Sequence, residues 1–187
     1  MGCDIHGYVE KQNADGAWER LEEALQFRNY QVFAALADVR NKGDSGFSPL
    51  NSLAGHRGLP EDCTVLEEIP DIEDMGYHSC SWATLEEIVS WEGWDQTLEQ
   101  NVVLSREVYE KWDRQSGPPA GWCLDVAGHE VYLYEEYQIA DFPHWNYVRV
   151  QFSWPLRQAC QFFLNWCENI YKRHADKKLR LVFWFDN

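Results

Sequence analysis

Apolar and polar residues alternate with period two at both ends of the chain and follow a helical spacing in several segments between them, which predicts a mixed α+β protein. The stretch CDIHGYVEKQNADGAWERL alternates and is broken by Asp15-Gly16, so strands are expected near 3–11 and 17–21, joined as a hairpin. FRNYQVFAALADVRNKG places Tyr30, Phe33, Leu36, Ala37 and Val39 at helical spacing, with Asn29 as the N-cap and Asn41-Lys42-Gly43 as the stop. Thr84-Leu85-Glu86-Glu87 is a capping box opening a helix to about Trp91, and Ser105 caps another to about Trp112, ended by QSGPPAG. Towards the C-terminus YVRVQFSW alternates as a strand, and Pro155 opens a helix with Leu156, Ala159, Cys160, Phe163, Cys167 and Ile170 on its apolar side. LRLVFWFD then reads as an apolar strand.

These elements assemble into a mixed β-sheet with an N-terminal hairpin, a C-terminal β-α-β unit and helices packed on the sheet. If the last two strands share a sheet in parallel, their crossover is right-handed. The chain is expected to form a single domain over 1–187, with a long loop at 43–60 and an irregular insertion at about 95–145. A short helix starts near Asp62 or Thr64, and the acidic EEIPDIEDMG is a solvated connection. Tyr77 to Ser81 forms a loop or short strand feeding the capping box at Thr84.

Composition narrows the function classes. A formal net charge of −15 over 187 residues argues against binding a nucleic-acid backbone or an anionic membrane, both of which need a cationic face. It leaves room for a small anionic, nucleotide-like ligand in a local arginine pocket, or for a divalent metal ion. No stretch approaches the roughly 20 apolar residues of a membrane span, and no apolar signal region follows Met1, so the expected location is the cytoplasm. The N-terminal MGC is not read as a lipid anchor, because His6 stands where myristoylation wants Ser or Thr. Six widely spaced cysteines are read as free thiols.

Strand geometry puts Asp4, His6, Tyr8 and Glu10 on one face of the first strand. Asp4 and His6 there can offer oxygen and nitrogen to one metal ion, or act as a general base and its orienting partner; the plain alternative is a polar strand face with a satisfied histidine. Asp-Ile-His-Gly imitates the opening turn of metallophosphoesterases, but their Gly-Asp-x-x-Asp and Gly-Asn-His blocks are missing, which excludes that family. His78 and Cys80 lie two apart just before a helix start, where N–H groups attract anions, with Ser79 and Ser81 as hydroxyl donors and Trp82 beside them. Arg28, Asn29, Tyr30 and Arg40 bracket the first helix, and Arg28 opposes its dipole, so it is there for a ligand phosphate or a carboxylate of the chain. Should the first and last strands be neighbours, Asp186 falls near Asp4 and His6.

The expected site is therefore Asp4, His6, His78 and Asp186 as catalytic groups. Arg28, Asn29, Tyr30, Arg40, Ser79, Ser81 and Trp82 would hold ligand, and Asp4, His6, His78 and Cys80 a divalent metal ion. Trp82, Trp91, Trp94, Trp122 and Trp145 can either stack a base or ring or simply pack the interior.

Taken in order, CDIH, RNYQVFAALADVRN, RGLPEDC, HSCSWATLEE and the closing LVFWFDN resemble the blocks of an uncharacterised family of small proteins encoded by bacteriophages and bacteria. The resemblance spans both ends and the first half of the chain. In that family's pattern the central block more often reads His-Ser-His-Ser, so Cys80 stands where relatives tend to carry imidazole. It implies a phage or prophage accessory protein, and no activity comes with it. Three functions fit the residues: hydrolysis of a small phosphate-containing nucleotide-like substrate, sequestration of such a ligand as a counter-defence sponge, or an acidic protein–protein adaptor.

Overall fold

The computed structural model describes residues 2–41, 46–68, 72, 76–114, 119–123, 126 and 132–186. In chain order the elements are β1 (Asp4–Gln12), β2 (Trp18–Phe27), α1 (Tyr30–Ala37), α2 (Val65–Glu68), β3 (His78–Thr84), α3 (Leu85–Ser90), β4 (Thr97–Ser105), α4 (Arg106–Lys111), β5 (Leu133–Glu135), β6 (Tyr147–Pro155), α5 (Leu156–Ala159), α6 (Gln161–Arg173) and β7 (Leu179–Asp186). The fold is α+β. Two compact units form, one from Met1–Asn41, Leu50–Gln96 and Leu156–Asn187, the other from Lys42–Pro49 and Thr97–Pro155.

The first unit is built on a four-stranded sheet ordered β2-β1-β7-β3, with every pair antiparallel. The hairpin forms as the pattern predicts: Gly16 takes a left-handed φ of 88°, and Asn13 Oδ1 accepts from the N–H of Asp15 and of Ala17, both at 3.0 Å. β1 and β7 pair along their length from Asp4↔Asp186 to Lys11↔Leu179, so the two ends of the chain lie side by side. Gly7 allows that approach, since a Cβ there would come within 2.4 Å of the Val182 carbonyl oxygen.

One face of this sheet carries Ile5, Val9, Leu181, Phe183 and Phe185, all with no exposed surface. Phe33 of α1 meets Phe185 edge-on at 5.2 Å, and Phe163 of α6 stacks on Phe27 at 6.0 Å, so helices seal that side. Asn29 caps α1 by accepting from Val32 N–H at 3.0 Å, and Thr84 with Glu87 closes the capping box of α3, both as the sequence predicts.

The opposite face carries Asp4, His6, Tyr8 and Glu10 on β1 beside Asp186, Trp184, Val182 and Arg180 on β7. Half of it is covered. Tyr8, Val182, Trp184 and Cys80 pack with Cys63, Val65 and Ile72, which a docked segment brings over the sheet. That segment is tied at several points: Leu50 N–H donates to Asn41 Oδ1 at 2.7 Å, and the N–H groups of Leu53 and Ala54 cap the α1 carbonyls of Ala35 and Leu36 at 2.7 and 2.9 Å. Further on, Arg57 N–H donates to Ser81 Oγ and Gly58 N–H to the Cys80 carbonyl, both at 3.1 Å. The described part of the long loop expected at 43–60 is thus held by backbone hydrogen bonds; residues 42–45 lie outside the described residues, as does most of the acidic connection after residue 68.

The second unit holds a three-stranded sheet ordered β4-β6-β5, in which β4 and β6 are antiparallel and β5 and β6 parallel. Its core is Val102, Leu104, Trp145, Val148, Val150 and Phe152. The strand over 97–105 was not among the predicted elements, although Leu98, Gln100, Val102 and Leu104 are buried between exposed Thr97, Glu99 and Asn101. The C-terminal strand-helix-strand order is present, but β6 belongs to this sheet and β7 to the other, so no parallel crossover joins them. The helix between them is interrupted at Cys160, giving α5 and α6. Among the described residues no helix is long and apolar enough to cross a membrane.

Candidate active site

Pairing of the first and last strands brings three of the expected residues together. Asp4 and Asp186 are direct partners, and the Asp4 N–H donates to Asp186 Oδ1 at 3.0 Å. The other oxygen of Asp186 lies 3.0 Å from His6 Nε2. Asp4 takes a bidentate contact from Arg28, with Nε on Oδ1 at 2.8 Å and Nη2 on Oδ2 at 2.7 Å. The partner that Arg28 needs at the start of α1 is therefore a carboxylate of β1. Gly2 makes room for it, because a Cβ there would fall 2.8 Å from the guanidinium carbon.

Hydrogen bonds from His6 and from the Asp4 N–H hold the Asp186 carboxyl below the usual aspartate range, and the Arg28 guanidinium does the same for Asp4. An ionised carboxylate only accepts, so Nε2 of His6 carries the proton donated to Asp186. Both aspartates are depressed groups, and their stabilising effect is present above their unfolded value of about 3.9 and lost as pH falls through the lower folded values. Below pH ~4 the Asp186→Asn protein should lose stability with falling pH less steeply than the wild type. Acid-unfolding curves of the two proteins read that slope.

His6 also lines a cleft of about 200 Å³ whose other walls are Gly7, Tyr8, Arg20, Ala24, Leu25, Gln26, Val65 and Trp184. Its ring stands edge-on to Tyr77 at 5.8 Å, and the side chain keeps 22 % of its surface exposed. An imidazole oriented by a carboxylate at the edge of a cleft can act chemically as a general base.

His78 is not part of this group. Ser79 adopts a left-handed φ of 54° in β3, and the pairing with β7 shifts between His78↔Phe185 and Ser81↔Phe183. This bulge inserts one residue and reverses the side-chain alternation. His78 consequently lies on the Phe185 face and stacks on that ring at 6.0 Å, while Cys80 packs with Tyr8, Val182 and Trp184 on the other side. The expected metal set of Asp4, His6, His78 and Cys80 is thereby divided between two faces. Among the described residues no three His, Cys, Asp or Glu side chains gather so as to hold a metal ion.

The anion cradle expected at Ser79 and Ser81 is likewise taken up by the fold. Ser79 Oγ is 2.9 Å from His78 Nδ1, fully buried Ser81 accepts from Arg57 N–H, and Arg57 lies over the Trp82 ring at 5.4 Å. At the start of α3 the Thr84 hydroxyl accepts from the Glu87 N–H and the Glu87 carboxylate from the Thr84 N–H. Asn29 spends its amide on the cap of α1 and on the Ala159 carbonyl at 3.3 Å. Arg40 sits over the Tyr30 ring at 5.9 Å, so Tyr30 and Arg40 engage each other.

Of the tryptophans weighed as ring-stacking groups, Trp94 and Trp145 are buried in the two cores at 0 % and 7 % exposure. All six cysteines are free, and burial pushes the Cys160 thiol up to about 12, which keeps it protonated and unreactive. Arg20 and Gln26, which line the cleft, were not singled out in the sequence. Their signal is the hairpin register, which sets Gln26 opposite His6. Compared with protein-family models, curated proteins and solved structures, the chain matches none.

Proposed function

We propose that this protein hydrolyses a phosphoester bond in a small nucleotide-like substrate, using His6 oriented by Asp186 as general base. The observation that supports this reading is the 3.0 Å contact between His6 Nε2 and Asp186 Oδ2 at the wall of the cleft. In the reaction a water oxygen forms a bond to phosphorus while its proton passes to His6 Nδ1. The bond from phosphorus to the leaving oxygen breaks, and that oxygen takes the proton back from the imidazolium. Asp186, kept ionised by its hydrogen bonds, stabilises the cation formed in between. In the phage setting implied by the resemblance of its sequence blocks, removal of a nucleotide signal would serve counter-defence.

Turnover of a panel of nucleotides and cyclic nucleotides by the purified protein tests the reading. His6→Gln should lower kcat by about 10²- to 10⁴-fold with the fold intact by circular dichroism, and Asp186→Asn should lower it in the same direction. Wild-type rates in His6→Gln would sink the proposal. Recovery of a tightly bound nucleotide intact after denaturation would replace it with the sequestering function.

A further inference from the structure

The four-stranded sheet ends at β2, beyond which no strand lies among the described residues. An outer strand turns every second N–H and C=O outward, and charges, a bulge or a covering segment normally shield such an edge. At the opposite edge β3 is covered, since Gly58 N–H donates to the Cys80 carbonyl at 3.1 Å. The first half of β2 is shielded too, by Glu19, Arg20 and Glu23 and by the register shift between Tyr8 and Glu10. Its second half, residues 24–27, has neither a charge nor a bulge.

An apolar groove of about 160 Å³ lies beside this open half, lined by Leu25, Phe27, Phe162, Phe163 and Trp166. Stacking fixes its rings, with Phe163 on Phe27 at 6.0 Å and on Trp166 at 6.3 Å. Phe162 of α6 is left 80 % exposed at the rim. A protruding ring and an apolar groove side by side, next to an unpaired strand edge, make a surface complementary to itself. Under a two-fold rotation each copy's Phe162 meets the other's groove.

We propose that this face is the interface of a homodimer, in which β2 pairs antiparallel with β2 of a second copy about an axis at Ala24 and the two sheets join into one. Charge selects the occupant. No ionisable side chain lines the groove, so two chains of net charge −15 meet over uncharged surface. A basic segment of another protein would need carboxylates in reach, and those of Glu19 and Glu23 are already taken by Lys11 at 3.6 Å and Arg173 at 2.8 Å. Charge also selects the register. A two-fold at Leu21 would oppose Glu19 to Glu23, and one at Glu23 would oppose that residue to itself, both unfavourable. Centred on Ala24, the axis sets methyl against methyl and Glu23 opposite Leu25. The repulsion that remains between the two acidic chains acts at longer range and is screened by salt, with a Debye length of about 8 Å at physiological ionic strength.

Sedimentation of the full-length protein over a range of concentrations tests this interface, with circular dichroism to verify that each variant is folded. Wild type should form a dimer that tightens as sodium chloride is raised from about 50 to about 300 mM. Phe162→Asp should weaken it about tenfold or more, whereas Tyr137→Asp, which alters an equally exposed ring in the other unit, should stay within about twofold. Ala24→Lys, which brings two ammonium groups together at the axis, should also weaken the dimer, and added salt should restore part of that loss. A monomer at every concentration up to about 1 mM would overturn the assignment and leave the groove to a segment of another protein. So would a dimer indifferent to Phe162→Asp or to Ala24→Lys, an equal loss in Tyr137→Asp, or a wild-type dimer that salt dissociates.

Discussion

Replacing Arg180 with Met should destabilise the protein by about 3–5 kcal/mol, read as a drop in the urea midpoint. Arg180 is 4 % exposed and Glu10 fully buried, and Nε of the arginine donates to Glu10 Oε2 at 2.7 Å. The other Glu10 oxygen accepts from Thr64 N–H at 2.6 Å and from its hydroxyl at 2.7 Å. Arg180 also reaches Asp62, with Nη1 on the carboxylate at 2.8 Å and Nη2 on the carbonyl at 3.1 Å, and lies over the Trp18 ring at 4.0 Å. Burying this pair is costly in itself, and the hydrogen bonds that complete it are what make it tolerable. Removing the cation alone strands a carboxylate in the interior.

The same logic makes the loss non-additive. Glu10→Gln/Arg180→Met should be clearly less destabilised than the sum of the two single variants, because the second substitution removes the charge that the first left unpaired. Both singles should also expose the segment around Thr64 to proteolysis, since Glu10 and Arg180 are what bind it to the sheet. A loss under about 1 kcal/mol in Arg180→Met would mean that water reaches the pair.

Trp94→Ala should cost a similar amount, about 3–5 kcal/mol. The indole has no exposed surface, meets Trp91 edge-on at 5.0 Å and Phe163 at 6.2 Å, and donates from Nε1 to the Ile88 carbonyl at 2.6 Å. Truncation therefore opens a cavity and orphans a carbonyl in α3. Trp94→Phe separates the two effects, since it keeps most of the apolar volume and loses only the donor, at about 1–3 kcal/mol. Thermal and urea unfolding of both variants check this. A Trp94→Ala protein as stable as wild type would return Trp94 to the ring-stacking groups for which its sequence context equally allowed.

Local chemistry was legible wherever it is short in range. Asp15-Gly16 announced the hairpin, Asn29 the cap of α1, and Thr84 with Glu87 the capping box, because each motif satisfies backbone groups a few residues away. The alternation of β1 placed Asp4 and His6 on one side, and the conditional that put Asp186 beside them held once β1 and β7 paired. The hydrophobic pattern could not reveal the bulge at Ser79, where a single left-handed residue breaks the period-two rule and moves His78 to the other face. It was equally silent on the partners of Glu10 and on Arg20, whose positions follow from register rather than composition.

Residue order alone gives the secondary structure at the two ends of the chain, the caps that start its helices and the side of β1 on which any chemistry would lie. Tertiary structure alone decided that His6 meets Asp186 rather than His78, that β6 and β7 enter different sheets, and that Arg180 lies buried beside Glu10, 170 residues away in the chain. The reason is range. Capping and alternation are enforced by bonds within a few residues, whereas register between distant strands is chosen by which side chains can be buried and paired together, and that choice exists only after the strands have met.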